Sequence, residues 1–148
     1  MVKNGIMEIE SKQITVWFDD DHPGSLAGVT GILSRHAVNI LAMTASGNRE
    51  NGRAHFVVDR IALACNILQN HGYHVICEDV LCLQVKNVAG ALHRSLQLLA
   101  EHDINIDYIY AFAQEASEGG TAVIKCDEAA RAKSVLMAHF KELWHGDE

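Results

Sequence analysis

"GSLAGVTGILSRHAVNILAMTA" (residues 24–45) and "GALHRSLQLLAEHDINIDYIYA" (residues 90–111) align without a gap when the chain is shifted by 66 positions. Other aligned pairs, such as Val38 with Ile104, keep an apolar residue. This spread of matches predicts two copies of one unit, each of about 66 to 70 residues. The identical pairs are Gly24 with Gly90, Leu26 with Leu92, Leu33 with Leu99, His36 with His102, Asn39 with Asn105, Ile40 with Ile106 and Ala45 with Ala111.

The first copy begins with a strand pattern, "QITVWF" (13–18), which is rich in β-branched and aromatic residues. Pro23 and Gly24 predict a turn, and Ser25 is predicted to cap the helix that follows. Apolar residues at helical spacing extend this helix to about Ala37.

The rest of the first copy predicts a hairpin, a second helix and a fourth strand. "VNILAMTAS" (38–46) and "RAHFVVD" (53–59) are the predicted hairpin strands, a helix from Ile61 closes near Gly72, and "HVICED" (74–79) follows. The order is βαββαβ. It predicts an α+β fold in which each unit has an antiparallel sheet with both helices on one face.

The second copy repeats this order up to its last strand. Its final helix is predicted from about Glu128 to Phe140, and "KELWHGDE" (141–148) hardly resembles a strand. The edge of the second sheet is therefore either truncated or completed by the N-terminal residues. The predicted boundaries are 1–11 for an N-terminal extension, 12–78 for the first unit and 79–148 for the second.

Charge and composition exclude several classes of protein. The net charge of the 148 residues is −7 and no basic stripe is present, so we expect no nucleic acid partner. No run approaches the ~20 apolar residues that span a bilayer, and the first residues show no export signal. The four cysteines form no CxxC pair. We therefore expect a reduced, cytoplasmic protein that does not bind membranes.

Polar residues near the first helix suggest a binding site. A helix N-terminus offers N–H groups and a partial positive charge to a carboxylate, and Gly24 permits close approach there. Asp21, Gly24 and Asn39 are predicted to surround a small amphoteric ligand, with Asp21 and the Asn39 carbonyl facing its ammonium group. The alternative is a plain turn that binds nothing.

The stretch "ITVWFDDDHPGSLAGVTGILSRHAVNILAMTAS" (14–46) resembles the signature of an ACT domain: a strand, [DN]-x-P-G-x-L, a helix, then N-I. "INIDYIYAF" (104–112) resembles the second half of stand-alone tandem ACT-domain proteins. The resemblance covers Lys12 to Phe140. It implies two ferredoxin-like ACT units that bind an amino acid at interfaces between such units.

The resemblance also implies which residues bind. They are the loop residue before Pro-Gly, the helix N-terminus and the Asn before Ile, which correspond to Asp21, Pro23, Gly24, Ser25, Leu26, Asn39 and Ile40 in the first unit, and to Asn87, Gly90, Ala91, Leu92, Asn105 and Ile106 in the second.

Two positions depart from the family pattern. Ala89 stands where the second unit would have proline, so that turn is less preorganised. Asp21 stands where a neutral Asn is often found. Its negative charge favours a ligand with a cationic group, which is a zwitterionic or basic amino acid.

Metal binding and catalysis are weaker hypotheses. His71, His74 and Cys77 have a ligand-like spacing, but Gly72 interrupts the helix and no second pair completes four ligands. No triad or nucleotide-binding motif is present, which predicts no enzyme activity and no cofactor.

The sequence thus predicts a non-enzymatic amino-acid sensor that forms a homodimer and acts on a regulated protein partner. The alternatives are a regulatory subunit of the acetolactate synthase small-subunit type or, less favoured, a metal-binding protein.

Overall fold

A computed structural model of the chain describes residues 2–3, 6–7, 12–19, 22–48, 50–86, 89–113 and 119–139. The chain divides into two compact units. The first unit is Lys12–Glu78, and the second is Asp79–Glu148 together with Met1–Ser11.

The strands and helices follow the order predicted from the sequence. The strands are β1 (Val2–Lys3), β2 (Ile6–Met7), β3 (Lys12–Phe18), β4 (Ile40–Gly47), β5 (Gly52–Val58), β6 (His74–Asp79), β7 (Leu81–Lys86), β8 (Ile106–Ala113) and β9 (Gly119–Cys126). The helices are α1 (Ser25–Arg35), α2 (Ile61–Asn70), α3 (Ala91–Glu101) and α4 (Ala129–Ala138). None of the helices in the described ranges is long and apolar enough to cross a membrane.

Each unit contains one antiparallel sheet. The strand order is β4-β5-β3-β6 in the first sheet and β1-β2-β7-β9-β8 in the second. Together with the four helices, this confirms the predicted α+β class and the ferredoxin-like βαββαβ arrangement. The element order explains the topology, because α1, α2 and α3 each connect strands that are not neighbours in the sheet.

The N-terminal residues complete the edge of the second sheet. β2 pairs antiparallel with β7, with Ile6 opposite Leu83, and so takes the place that β6 has beside β3. Of the two alternatives for this edge, the structure shows the one that uses the N-terminus. Residues 141–148, which were considered for a last strand, lie outside the described residues.

The hydrophobic cores lie between the helices and one face of each sheet. Residues of the first core include Ile14 and Phe56 from the sheet and Leu33 and Leu68 from the helices, all fully buried. The second core repeats the pattern with Leu81, Ile124, Leu99 and Leu136. Burial of each such side chain contributes about 1.5 to 3 kcal/mol. The repeated apolar positions of the sequence therefore become the two cores.

The expectation that Ser25 caps α1 is wrong. The N-cap is Gly24, with a φ of 96°, and Ser25 is the first helical residue. Ser25 is buried, and its Oγ accepts a hydrogen bond from the His22 N–H at 3.0 Å. A left-handed cap suits glycine because it has no Cβ, and Gly90 caps α3 in the same way with a φ of 84°.

Candidate functional site

The Gly24 rim (residues 22–26) is the turn between β3 and the N-terminus of α1. Pro23 and Gly24 are exposed, and Leu26 is half-buried. The first turn of α1 carries no acidic side chain, so its partial positive charge is available to a carboxylate, although the Ser25 N–H already donates to the His22 carbonyl at 3.0 Å. Asp21, which precedes this rim in the predicted site, lies outside the described residues.

The Asn39 rim (residues 37–40) lies between the end of α1 and the start of β4. The Asn39 backbone N–H donates to Asp59 Oδ1 at 2.9 Å, and the Asp59 N–H donates to the Asn39 carbonyl at 3.2 Å. Asn39 remains exposed, and Ile40 is half-buried. The backbone of this rim is therefore held by Asp59, a residue not predicted from the sequence. Its only sequence signal is its place at the end of the second predicted hairpin strand.

An open cleft of about 430 Å³ lies against the Asn39 rim. The cleft brings together the hydroxyl-bearing residues Thr30 and Ser34, the amide residue Asn39 and apolar surface, a combination that suits a small polar ligand. Thr30 and Ser34 are not among the predicted residues, although their spacing of four places them on one face of α1. The cleft is lined by Thr30, Ser34, Ala37, Val38, Asn39 and Ile40.

The two rims lie at opposite ends of the first unit. The end of β3 pairs with Gly52, whereas the start of β4 pairs with Val58. These partners are six residues apart on β5, and six residues of strand span about 20 Å. The expectation that Gly24 and Asn39 of a single unit surround one ligand is therefore wrong, because α1 runs from one end of the sheet to the other.

The second unit shows the same separation, since β7 ends opposite Gly119 and β8 begins opposite Cys126. Asn105 is the counterpart of Asn39 in the second unit. Its side-chain Nδ2 donates to Asp107 Oδ1 at 3.4 Å. The Asn105 side chain is thus engaged with the first residues of β8, the strand that follows it. Among the other predicted residues, Gly90 is exposed, Ala91 is buried, Leu92 is exposed and Ile106 is half-buried, while Asn87 lies outside the described residues.

A polar cluster (Gln13, Thr15, His55 and Glu78) occupies the face of the first sheet that points away from the helices. Gln13 Nε2 donates to Glu78 Oε2 at 3.2 Å, and Thr15 Oγ1 lies 2.8 Å from His55 Nδ1. Burial lowers the pKa of His55, and the Glu78 carboxylate opposes that effect. This cluster was not predicted. Its signal is the polar side chains that alternate with apolar ones along β3.

Each of the helices α1 to α4 ends at a histidine. The Nδ1–H of each ring donates to the carbonyl oxygen four residues earlier, at 2.8 to 3.0 Å. This contact suits the partial negative charge of a helix C-terminus. The histidines are His36, His71, His102 and His139.

The structure does not bring His71, His74 and Cys77 together, although their spacing in the sequence resembles that of metal ligands. The His74 ring stacks on Trp17 with centroids 4.8 Å apart, and Cys77 Sγ lies 2.9 Å from Cys65 Sγ. Within the described residues, no three His, Cys, Asp or Glu side chains are placed together to hold a metal ion.

Comparisons with known proteins agree with this architecture. A family model described as an ACT domain pair matches residues 7–145. No curated protein matches the chain. A solved structure from Bacteroides thetaiotaomicron is similar, at 25% identity over 88% of each chain with a TM-score of 0.80.

Two further solved structures share the fold. The regulatory subunit of aspartate kinase from Thermus thermophilus, in its ligand-free form, is 19% identical over 88% of this chain and 93% of that chain, with a TM-score of 0.66. The same subunit from Thermus flavus is 20% identical over 92% and 97%, with a TM-score of 0.64.

Proposed function

The chain belongs to the ACT domain pair family, and from that premise we propose that it is a non-enzymatic regulatory protein that binds an amino acid. The ACT domain pair is a regulatory fold. The observation that carries the proposal is the cleft beside Asn39, which has the size and the hydrogen-bonding groups for a small polar molecule.

We propose that a complete site takes its two rims from different ACT units, the second being supplied by another copy of the chain. This follows because the Gly24 rim and the Asn39 rim of one unit lie at opposite ends of its sheet. β4 is an edge strand of its sheet, and pairing with a second copy would cover such an edge. In a homodimer, one copy thus offers the ligand a helix N-terminus for its carboxylate, and the other copy offers it the Asn39 amide.

The ligand is a zwitterionic or basic amino acid in this proposal. The N-terminus of α1 suits a carboxylate, since no acidic side chain lies in its first turn. The amide and hydroxyl oxygens at the Asn39 cleft suit an ammonium group. Binding between units would change their packing, which is how a sensor of this kind transmits a signal.

A thermal-shift screen of the twenty amino acids tests the proposal. A ligand at 100 times its Kd adds about 2.7 kcal/mol of stability, which is readily visible as a rise in Tm. Asn39→Ala should reduce the shift, whereas Asn66→Ala, at an exposed position of α2, serves as a matched control. If no amino acid raises Tm, the sensor proposal fails.

A regulated enzyme is the second candidate function. The two Thermus proteins of the same fold are described as regulatory subunits of aspartate kinase, and this chain covers nearly their whole length. Purification of the tagged chain from its native cells tests this candidate. Stoichiometric retention of an enzyme of amino-acid synthesis, with activity that depends on the chain, would support it, and recovery of the chain alone would not.

A further inference from the structure

Two cysteine thiols meet in the first unit, although twelve positions separate them in sequence. Cys65 lies in α2, half-buried against the core, and Cys77 lies in β6, exposed. Their Sγ atoms are 2.9 Å apart, and both thiols are free. Because a disulfide has a sulfur–sulfur distance of about 2.05 Å, the two atoms need to approach by only about 0.9 Å.

The position of the pair in the fold makes it accessible. β6 is an edge strand beside β3. Val75 is buried in the core, and Cys77, two residues later, points to the same helix-covered face. At the edge of the sheet Cys77 still reaches solvent, whereas Cys82 and Cys126 are each only 1% exposed.

We propose that Cys65 and Cys77 form a reversible redox site, which closes to an intramolecular disulfide by reaction with a small disulfide such as oxidised glutathione. Cys77 reacts first in this proposal, because it is the more accessible of the two thiols. Its thiolate attacks one sulfur of oxidised glutathione, a mixed disulfide forms, and one glutathione thiolate leaves.

Cys65 completes the reaction. Its thiolate attacks the Cys77 sulfur, the protein disulfide forms, and the second glutathione thiolate leaves. The two protein thiols lose two electrons, and one glutathione disulfide is reduced to two thiols. The two protons released by the cysteines end on the two glutathione sulfurs, so atoms and electrons balance.

The local environment controls the rate of closure. Partial desolvation of the Cys77 sulfur on its core-facing side and the neighbouring Cys65 thiol raise the pKa of Cys77 to about 12. Far below that pKa, the thiolate fraction rises tenfold for each pH unit. Oxidation is therefore slow near neutral pH and accelerates as pH rises. Once formed, the bond links α2 to β6 and stabilises the first unit.

The test uses the full chain, treated with oxidised glutathione at pH 8 and then titrated for thiols under denaturing conditions. We expect two of the four thiols to disappear and to return with dithiothreitol. Chymotryptic cleavage after Tyr73 separates Cys65 from Cys77, so a linked peptide pair identifies the bond. Oxidation should raise Tm by about 4 °C or more.

Two variants serve as matched controls. Cys65→Ala should stop at a stable glutathione adduct on Cys77, and Cys77→Ala should react much more slowly. Retention of all four thiols in the native chain would overturn the proposal. So would a lasting glutathione adduct on the native chain, or a bond to Cys82, to Cys126 or to a second chain.

Discussion

The two units share a backbone plan but differ on the sheet face that points away from the helices. In the first sheet, Thr15 and Thr44 both pair with His55 across neighbouring strands. The equivalent row of the second sheet contains Cys82 and Tyr110, which pair with Val123. The first row is polar and hydrogen-bonded, whereas the second is mainly apolar.

This difference shows which face defines the fold. The helix-covered faces keep the same apolar pattern in both units, since Leu33 and Leu99 are fully buried at equivalent positions. The opposite faces have diverged in chemistry. Burial lowers the pKa of His55 in one unit, and in the other it raises the pKa of Cys82 to about 11. The repeated core thus specifies the unit, and the other face is free to specialise.

The largest expected loss of stability comes from substitutions in the two hydrophobic cores, and it tests whether the cores are equivalent. Leu33→Ala and Leu99→Ala should each cost about 2 to 5 kcal/mol, because each removes a fully buried side chain. Leu41→Ala, at a position that is 36% exposed, should cost less than either core variant. Urea unfolding measures all three. A large loss in only one of the two core variants would contradict the equivalence.

The next largest effect on stability is expected at the glycines that form the N-caps of α1 and α3. Gly24→Ala and Gly90→Ala should each cost about 1 to 2 kcal/mol, since both positions have a positive φ that disfavours a side chain. Gly31→Ala lies inside α1 without a positive φ and should instead stabilise by about 0.5 to 1 kcal/mol. The opposite signs separate backbone strain from a general effect of adding a methyl group.

The polar cluster predicts a pH dependence that belongs to the first unit. The folded-state pKa of His55 is below its ordinary value of 6.5, so the unfolded chain binds more protons below that pH. Its contribution to stability is complete above pH 6.5 and declines below it by up to about 1.4 kcal/mol per pH unit.

His55→Val, which copies Val123 of the second unit, isolates this contribution. The dependence of unfolding free energy on pH between 5 and 7 should be shallower in the variant than in the native chain. Equal slopes would show that folding does not change the pKa of His55.

The smallest effect concerns the amides of the two sites. Asn39→Ala should weaken binding of the amino acid by about 0.5 to 1.5 kcal/mol, the usual contribution of one hydrogen bond. Asn105→Ala should have less effect, because its side chain already donates to Asp107. Calorimetric titration compares the two variants, and a stronger effect of Asn105→Ala would reverse the ranking of the sites.

Much of the fold could be predicted because its signals are local. The helical spacing in α1 and α3, the β-branched strands and the repeated Asn-Ile pairs each depend on neighbouring residues. The candidate site was less predictable. Thr30 and Ser34 line the cleft together with residues 37–40, and Asp59 meets Asn39 across a twenty-residue separation.

The sequence by itself determined the two copies, the βαββαβ order of the first, the matching order of the second up to its last strand, and the resemblance to ACT domains, because periodicity and turn residues act over short distances. Only the tertiary structure decided the contacts set by strand register. It placed β2 beside β7, the Gly24 and Asn39 rims at opposite ends of a sheet, and Cys65 against Cys77. These features join or separate segments that are distant in the sequence, so no local pattern of residues specifies them.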